Sequence, residues 1–227
     1  MLRFMPVGDS MTIGSAGEHT WRYRLWQHLC GTYGRPFEIV GPRETLYDKA
    51  TAAADSYEYA DPGFPRGHLA GWGEGWQHLA PLIGDAVRTT RADVLLVSLG
   101  LIDLGFYTNA TQTTENARSF VARARTANPR VSMVLLPVIP NVRAETDVPF
   151  AAEVARFNEL LAKTVADLDE PASPLLLASV PESYDISLDT YDGTHPNASG
   201  EHKLAAAFTD AMHQAWGVGE PYRAETT

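Results

Sequence analysis

Two stretches at opposite ends of the chain hold the residue types that can do chemistry together. Gly8-Asp9-Ser10 lies near the N-terminus, and Asp192-Gly193-Thr194-His195-Pro196-Asn197 lies near the C-terminus. A serine hydroxyl is a weak nucleophile until a neighbouring base takes its proton. A histidine is such a base only when its ring is held in one tautomer. Asp192 and His195 are separated by two residues, and on a tight turn that spacing brings a carboxylate to the Nδ1–H and leaves Nε2 as the base. Each signal is weak alone. Gly, Asp and Ser are ordinary turn residues, and an isolated Asp-x-x-His is more often a capped turn beside a surface or core histidine. Their joint presence makes Ser10 the candidate nucleophile, His195 the candidate base and Asp192 the candidate orienting acid.

The elements around these stretches bring them together. Leu2–Val7 is an apolar run that ends in the Gly-Asp-Ser turn, which predicts a buried strand. Phe37–Val40, Val94–Leu99, Val131–Ile139 and Leu175–Val180 predict four more. Helical spacing predicts helices over Trp21–Tyr33 (with Thr20 as its cap), Gly75–Thr89, Thr114–Ala127, Phe150–Leu168 and Ala198–Trp216. Five strands alternating with helices predict an α/β fold: a flavodoxin-like three-layer α/β/α domain with a five-stranded parallel sheet in the order 2-1-3-4-5. In that topology the loops after strands one and five reach the same edge of the sheet, where such folds bind ligands. Residues 41–75 lack periodicity and are rich in Tyr and Trp, which predicts a long ordered loop over a cleft. One domain over 1–217 with a loosely held tail, 218–227, is the expected organisation.

Composition excludes several classes. Apolar residues make up 44% and charged residues 20%, as in ordinary globular proteins. A net charge of -10 argues against nucleic acid as the main partner. Cys30 is the single cysteine, so no intrachain disulfide forms, and its helical setting predicts a core filler. No apolar window is long enough to span a membrane. The first strand begins too early to leave room for a signal peptide, which predicts a cytoplasmic protein, or a secreted one if a leader has been removed. No metal-ligand spacing and no Gly-rich phosphate loop occurs, so neither metal nor cofactor is expected. His28, His202 and His213 fall in helical patterns, and His78 in the helix after the loop. His19 and His68 fall in loops and could line a cleft. Oligomeric state is not readable.

This ordered set of motifs resembles the SGNH, or GDSL, hydrolases over nearly the whole chain. Gly8-Asp9-Ser10 matches the family's first block, Gly67-His68-Leu69-Ala70-Gly71-Trp72 its second with one extra residue, and Asp192 to Asn197 its last. The resemblance implies Ser10 as nucleophile, His195 as base, Asp192 as acid, and the N–H groups of Ser10 and Gly71 as oxyanion donors, with Asp9 beside them. The third block, Gly-x-Asn-Asp, departs: here it is Gly100-Leu101-Ile102-Asp103, and Ile102 stands where the family has a donating Asn. Asn109 and Asn141 are the nearest polar groups at a strand end that could fill the gap. Asp103 reads as a turn or cap carboxylate. The Met5 to Ser10 and Asp61 to Trp72 regions look most like the branch containing acetylxylan esterases. The function implied is a serine esterase acting on a short-chain ester of a small molecule or carbohydrate. The alternatives are an acyltransferase using the same acyl-enzyme and a binding protein on a degenerate hydrolase fold.

Overall fold

The computed structural model describes residues 1–223. Its central sheet is parallel. Strand β1 (Leu2–Gly8) pairs with β2 (Phe37–Ile39) on one side and with β6 (Val94–Ser98) on the other, followed by β7 (Ser132–Leu136) and β8 (Leu175–Leu177). Among these five, the spatial order is second, first, third, fourth, fifth, as the alternation of elements predicts. Every residue of β6 is buried, because a strand paired on both sides and covered on both faces has no solvent side.

Helices form the outer layers. Helix α2 (Thr20–Thr32) packs against α8 (Ala198–Trp216), while α3 (Trp76–Thr90), α4 (Ala110–Ala127) and α6 (Val148–Leu168) pack in succession. Val154, Phe157, Leu161 and Val165 face inward from α6, and Leu204, Phe208 and Met212 from α8, each at helical spacing. Glu201 on α8 joins the two ends of the chain. It accepts the Thr20 N–H at 3.0 Å and pairs with Arg24 at 3.0 Å. Thr20 is therefore not the cap of α2 but its first residue, held at φ +69° by this long-range bond.

Several sequence expectations are corrected. Residues 41–75 are not without regular structure. They carry an antiparallel pair, β3 (Leu46–Asp48) and β4 (Ala53–Ser56), and a two-residue strand, β5 (Leu69–Ala70), that pairs with the end of β1. Elements this short leave no readable alternation. Asn109 caps α4 by accepting the Gln112 N–H, and Asp147 caps α6 by accepting the Phe150 N–H, so both helices start earlier than their apolar spacing suggests. Cys30 is exposed rather than a core filler. The tail is pinned up to Tyr222. Val218 is buried, His213 Nδ1 lies 2.9 Å from the Gly219 carbonyl, and the Tyr222 N–H donates to Asp210. Residues 224–227 lie outside the described part. No helix among the described residues is long and apolar enough to cross a membrane.

Candidate active site

Gly8 ends β1, and the chain turns at once into α1 (Ser10–Ile13). A side chain at position 8 would collide with the Thr12 hydroxyl and the Ser98 carbonyl, so the reversal needs glycine. Asp9 caps the turn by accepting the Met11 N–H at 3.0 Å. A helix of one turn leaves its last carbonyls unpaired, and the fully buried Arg22 supplies donors. Its Nε donates to the Thr12 carbonyl at 2.7 Å and its Nη2 to that of Ile13 at 2.9 Å, while Nη1 reaches the Arg66 carbonyl of the aromatic loop. One guanidinium thus fastens the Ser10 turn to the loop beside it.

The other half of the site is the loop between α7 (Ile186–Asp189) and α8. Its base is clamped by Asp189, which binds Lys203 at 2.6 Å and accepts the Ser199 hydroxyl at 2.6 Å. Asp192 both builds the loop and orients the histidine. Its Oδ1 accepts the N–H groups of Thr194 and His195, at 3.0 and 2.8 Å, and its Oδ2 lies 2.7 Å from His195 Nδ1. Partial burial works against its charge, but these hydrogen bonds outweigh it and hold the carboxyl below its ordinary range. An ionised carboxylate can only accept, so Nδ1 carries the ring proton and Nε2 is the free base. Nε2 lies 2.9 Å from Ser10 Oγ, so the two distant motifs meet.

A column of rings packs against the imidazole. Trp72 stacks on His195 with centroids 4.9 Å apart, Tyr47 stacks on Trp72 at 4.1 Å, and Tyr191 lies over His195 at 5.7 Å. The indole face is placed to stabilise an imidazolium, should one form. No sequence spacing signals this column, because Tyr47 and Trp72 meet only through the β3–β4 and β5 segments.

Ser10, His195 and Asp192 open onto a cavity of about 350 Å³. Ile102 lines it, as do Asn141 and Arg143. Three sequence candidates are not on its wall. Asn109 is occupied as the α4 cap. Gly71 donates its N–H to the Gly8 carbonyl at 3.2 Å, extending the β5–β1 pairing by one bond, so that donor is taken. Its neighbour Gly73 lies on the wall instead, in a turn closed by the Glu74 N–H on the Gly71 carbonyl, with φ +74°. Asp9 is fully buried beneath the turn. His68 is buried away from the cleft. It accepts the Ala70 N–H at Nδ1 and sits 2.9 Å from the Thr45 carbonyl at Nε2, and burial lowers its pKa well below the ordinary value, so it is a neutral structural residue. Asp103 is a cap, as its setting predicts, though for a helix elsewhere in the chain: it accepts the Trp76 and Gln77 N–H groups at the start of α3.

Burial pushes the Asp9 carboxyl up from 3.8 to about 7, partly offset by the Met11 N–H, with the Asp103 carboxyl adding to the rise. Its Oδ2 is buried without a hydrogen-bond partner among the described residues. The folded state therefore binds this proton more tightly than the unfolded chain does. Stability is expected to fall by a few kcal/mol as pH rises from about 4 to about 7, and then to level off. Thermal unfolding across this range should show the slope in wild type and its loss in Asp9→Asn. An equal slope in both would assign it to other groups.

A sheet that carries a serine at the end of its first strand, within reach of an Asp-supported histidine, defines a hydrolase of the α/β/α type. Residues 7–203 match the GDSL-like lipase/acylhydrolase family. The chain belongs to that family. A multidomain esterase of Ruminococcus flavefaciens is 25% identical over 218 residues, which is 89% of this chain and 27% of the relative, so the chain spans about a quarter of that protein's length. Among solved structures, an acetyl esterase mutant with an acetate ion is similar at TM-score 0.76 and 23% identity, covering 94% of this chain and 97% of the other. A carbohydrate esterase family 3 protein from Talaromyces cellulolyticus is similar at TM-score 0.75 and 23% identity with the same coverage.

Proposed function

We propose that this chain hydrolyses a short-chain, acetyl-type carboxylic ester of a small molecule or carbohydrate through an acyl-enzyme on Ser10. The observation that carries the reading is the unbroken line from Asp192 Oδ2 to His195 Nδ1, 2.7 Å, and from His195 Nε2 to Ser10 Oγ, 2.9 Å, opening onto the cavity. In the first half-reaction His195 takes the hydroxyl proton as Ser10 Oγ bonds to the ester carbon, and the carbonyl electrons move onto oxygen. His195 then gives that proton to the departing alcohol as the ester bond breaks. Water attacks the acyl-enzyme with His195 again as base, and the carboxylic acid leaves as Ser10 regains its proton. Asp192 and the Trp72 face stabilise the imidazolium in both halves.

For the oxyanion we assign the Ser10 N–H, the Gly73 N–H and the Asn141 side chain. The Ser10 N–H is the first of α1 and has no carbonyl in the helix to bond. Gly73 sits on the wall with its N–H outside the bond that closes its turn. Asn141 spends its Oδ1 on the Ala144 N–H and one Nδ2 proton on the Ile139 carbonyl, which leaves a second Nδ2 proton. This set compensates for Ile102, which cannot donate.

Both structural neighbours carry esterase names, and one acts on acetyl esters by its name, which supports the acetyl-type reading. A panel of 4-nitrophenyl esters of increasing acyl length tests it. The expected result is the highest kcat/KM for acetate, a steady fall with length, and free acid as the product even with added alcohol acceptors. A preference for long acyl chains would overturn the acetyl assignment, and an ester product would turn the reading to acyl transfer.

A further inference from the structure

We propose that the catalytic cavity contains a carboxylate-binding subsite built on Arg143, so that its ester substrate carries an anionic group. The proposal rests on the esterase reading and specifies its substrate.

Arg143 stands in the first turn of α5 (Val142–Thr146) and lines the cavity together with Ser10 and His195. It is held from three directions. Nη1 donates to the Gly105 carbonyl at 2.8 Å, and the guanidinium lies over the Phe150 ring at 4.3 Å and the Phe106 ring at 5.8 Å. A cation held by a carbonyl and two ring faces is preorganised, so little side-chain entropy is lost when a ligand binds. Its position relative to the catalytic loop is also fixed. The Val142 N–H, one residue before it, donates to the Gly193 carbonyl at 2.7 Å, and Gly193 adopts φ +85° where any side chain would strike Val142. Asn141 and Arg143 are thereby carried against the Asp192–His195 turn.

The guanidinium is not consumed by these contacts. Its one ion-pair partner among the described residues is Asp147, 3.5 Å from Nε, and both side chains are about two-fifths exposed, 44% and 39%, so water screens the pair. Of five N–H donors, those of Nη2 take part in no hydrogen bond among the described residues. One Nη2 N–H beside the second N–H of Nη1, which the single bond to Gly105 leaves over, gives the two-donor fork that matches a carboxylate. The other charged group on the cavity wall, Asp192, already has both oxygens bound within its own loop. A neutral acetyl ester would need no cation in this wall, and an apolar side chain would serve it as well.

The test compares matched esters that differ only in charge. One pair is 4-nitrophenyl hemisuccinate against its methyl ester, with the charge on the acyl side. The other is an O-acetylated glucuronic acid against its methyl ester, with the charge on the alcohol side and release of acetate as the readout. The expected result is a kcat/KM ratio of about 10-fold or more in favour of the anion in one pair. That ratio should fall with added salt, collapse in Arg143→Gln, and return in part in Arg143→Lys. The pair that responds tells which side of the ester Arg143 meets. A ratio near one in both pairs, or a ratio unchanged in Arg143→Gln, overturns the subsite while hydrolysis of the neutral esters leaves the esterase reading standing. Should no ester be turned over, that reading fails separately. Calorimetric binding of succinate and of glucuronate to Ser10→Ala protein then decides: binding lost on adding Arg143→Gln supports the subsite, and binding absent or unaffected overturns it.

Discussion

Ser10→Ala and His195→Ala are each expected to lower kcat for acetate ester hydrolysis by about 10⁴- to 10⁶-fold, and the double variant to lose little more. The reason is that the two side chains act as one unit. Ser10 Oγ and His195 Nε2 are 2.9 Å apart, and a nucleophile without its base is as ineffective as a base without its nucleophile. Asp192→Asn should cost about 10⁴-fold. Its amide can keep an oxygen for the Thr194 and His195 N–H groups, so the loop is retained. The atom then facing Nδ1 is an NH₂, which cannot accept a proton and forces the ring into the wrong tautomer. Initial rates measured on all four variants check this. Multiplicative losses in the double variant, or near-normal rates in Asp192→Asn, would contradict the triad.

The second large effect concerns the oxyanion. Asn141→Asp is expected to lower kcat by about 10²- to 10³-fold. An aspartate keeps the acceptor that caps α5 through the Ala144 N–H but loses both Nδ2 donors, the one bonded to the Ile139 carbonyl as well as the one left for the oxyanion. It sets in their place a charge that repels the developing oxyanion, and the lost Ile139 bond lowers stability by about 1–3 kcal/mol. Ile102→Asn is expected to raise kcat by about 10-fold, a modest fraction of what one oxyanion donor contributes elsewhere, because it puts a donor on the cavity wall where the family resemblance has one. In the variant carrying both Asn141→Asp and Ile102→Asn, the amide introduced by the second substitution should restore much of the activity lost through the first, a coupling that a purely structural role for Asn141 would not produce. Cooperative unfolding with a melting temperature lowered by only a few degrees would confirm that the cap survives. A silent Asn141→Asp would assign the oxyanion to backbone donors alone.

How much of this was legible in the chain depends on how local each signal is. The parallel sheet and its order follow from apolar runs such as Val94–Ser98, where burial on both faces writes itself as a continuous hydrophobic string. The meeting of Ser10, Asp192 and His195 was legible because a strand end and an Asp-x-x-His turn are local features, and the topology brings them to one edge. The surroundings of the candidate oxyanion donors were not. Asn109 and Asn141 are both asparagines near strand ends, and only their surroundings separate them: one is spent on α4, while the other faces the cavity with a proton to spare. A single extra bond of β5 with β1 occupies the Gly71 N–H, which is why the proposed donor is its neighbour Gly73. Trp72 closes the second motif block without any sign there of a stacking role, and Arg143 carries no motif. Their chemistry exists only where a ring meets His195 and where a guanidinium rests on Phe150.

If Ser10 is an activated nucleophile, a fluorophosphonate labels it covalently, and peptide mass spectrometry locates the label. The predicted result is one label per chain on the peptide containing Ser10, with loss of ester hydrolysis in proportion to labelling, no label in Ser10→Ala, and much slower labelling in His195→Ala. Full ester hydrolysis by protein whose Ser10 stays unlabelled, or undiminished hydrolysis by Ser10→Ala, would contradict it.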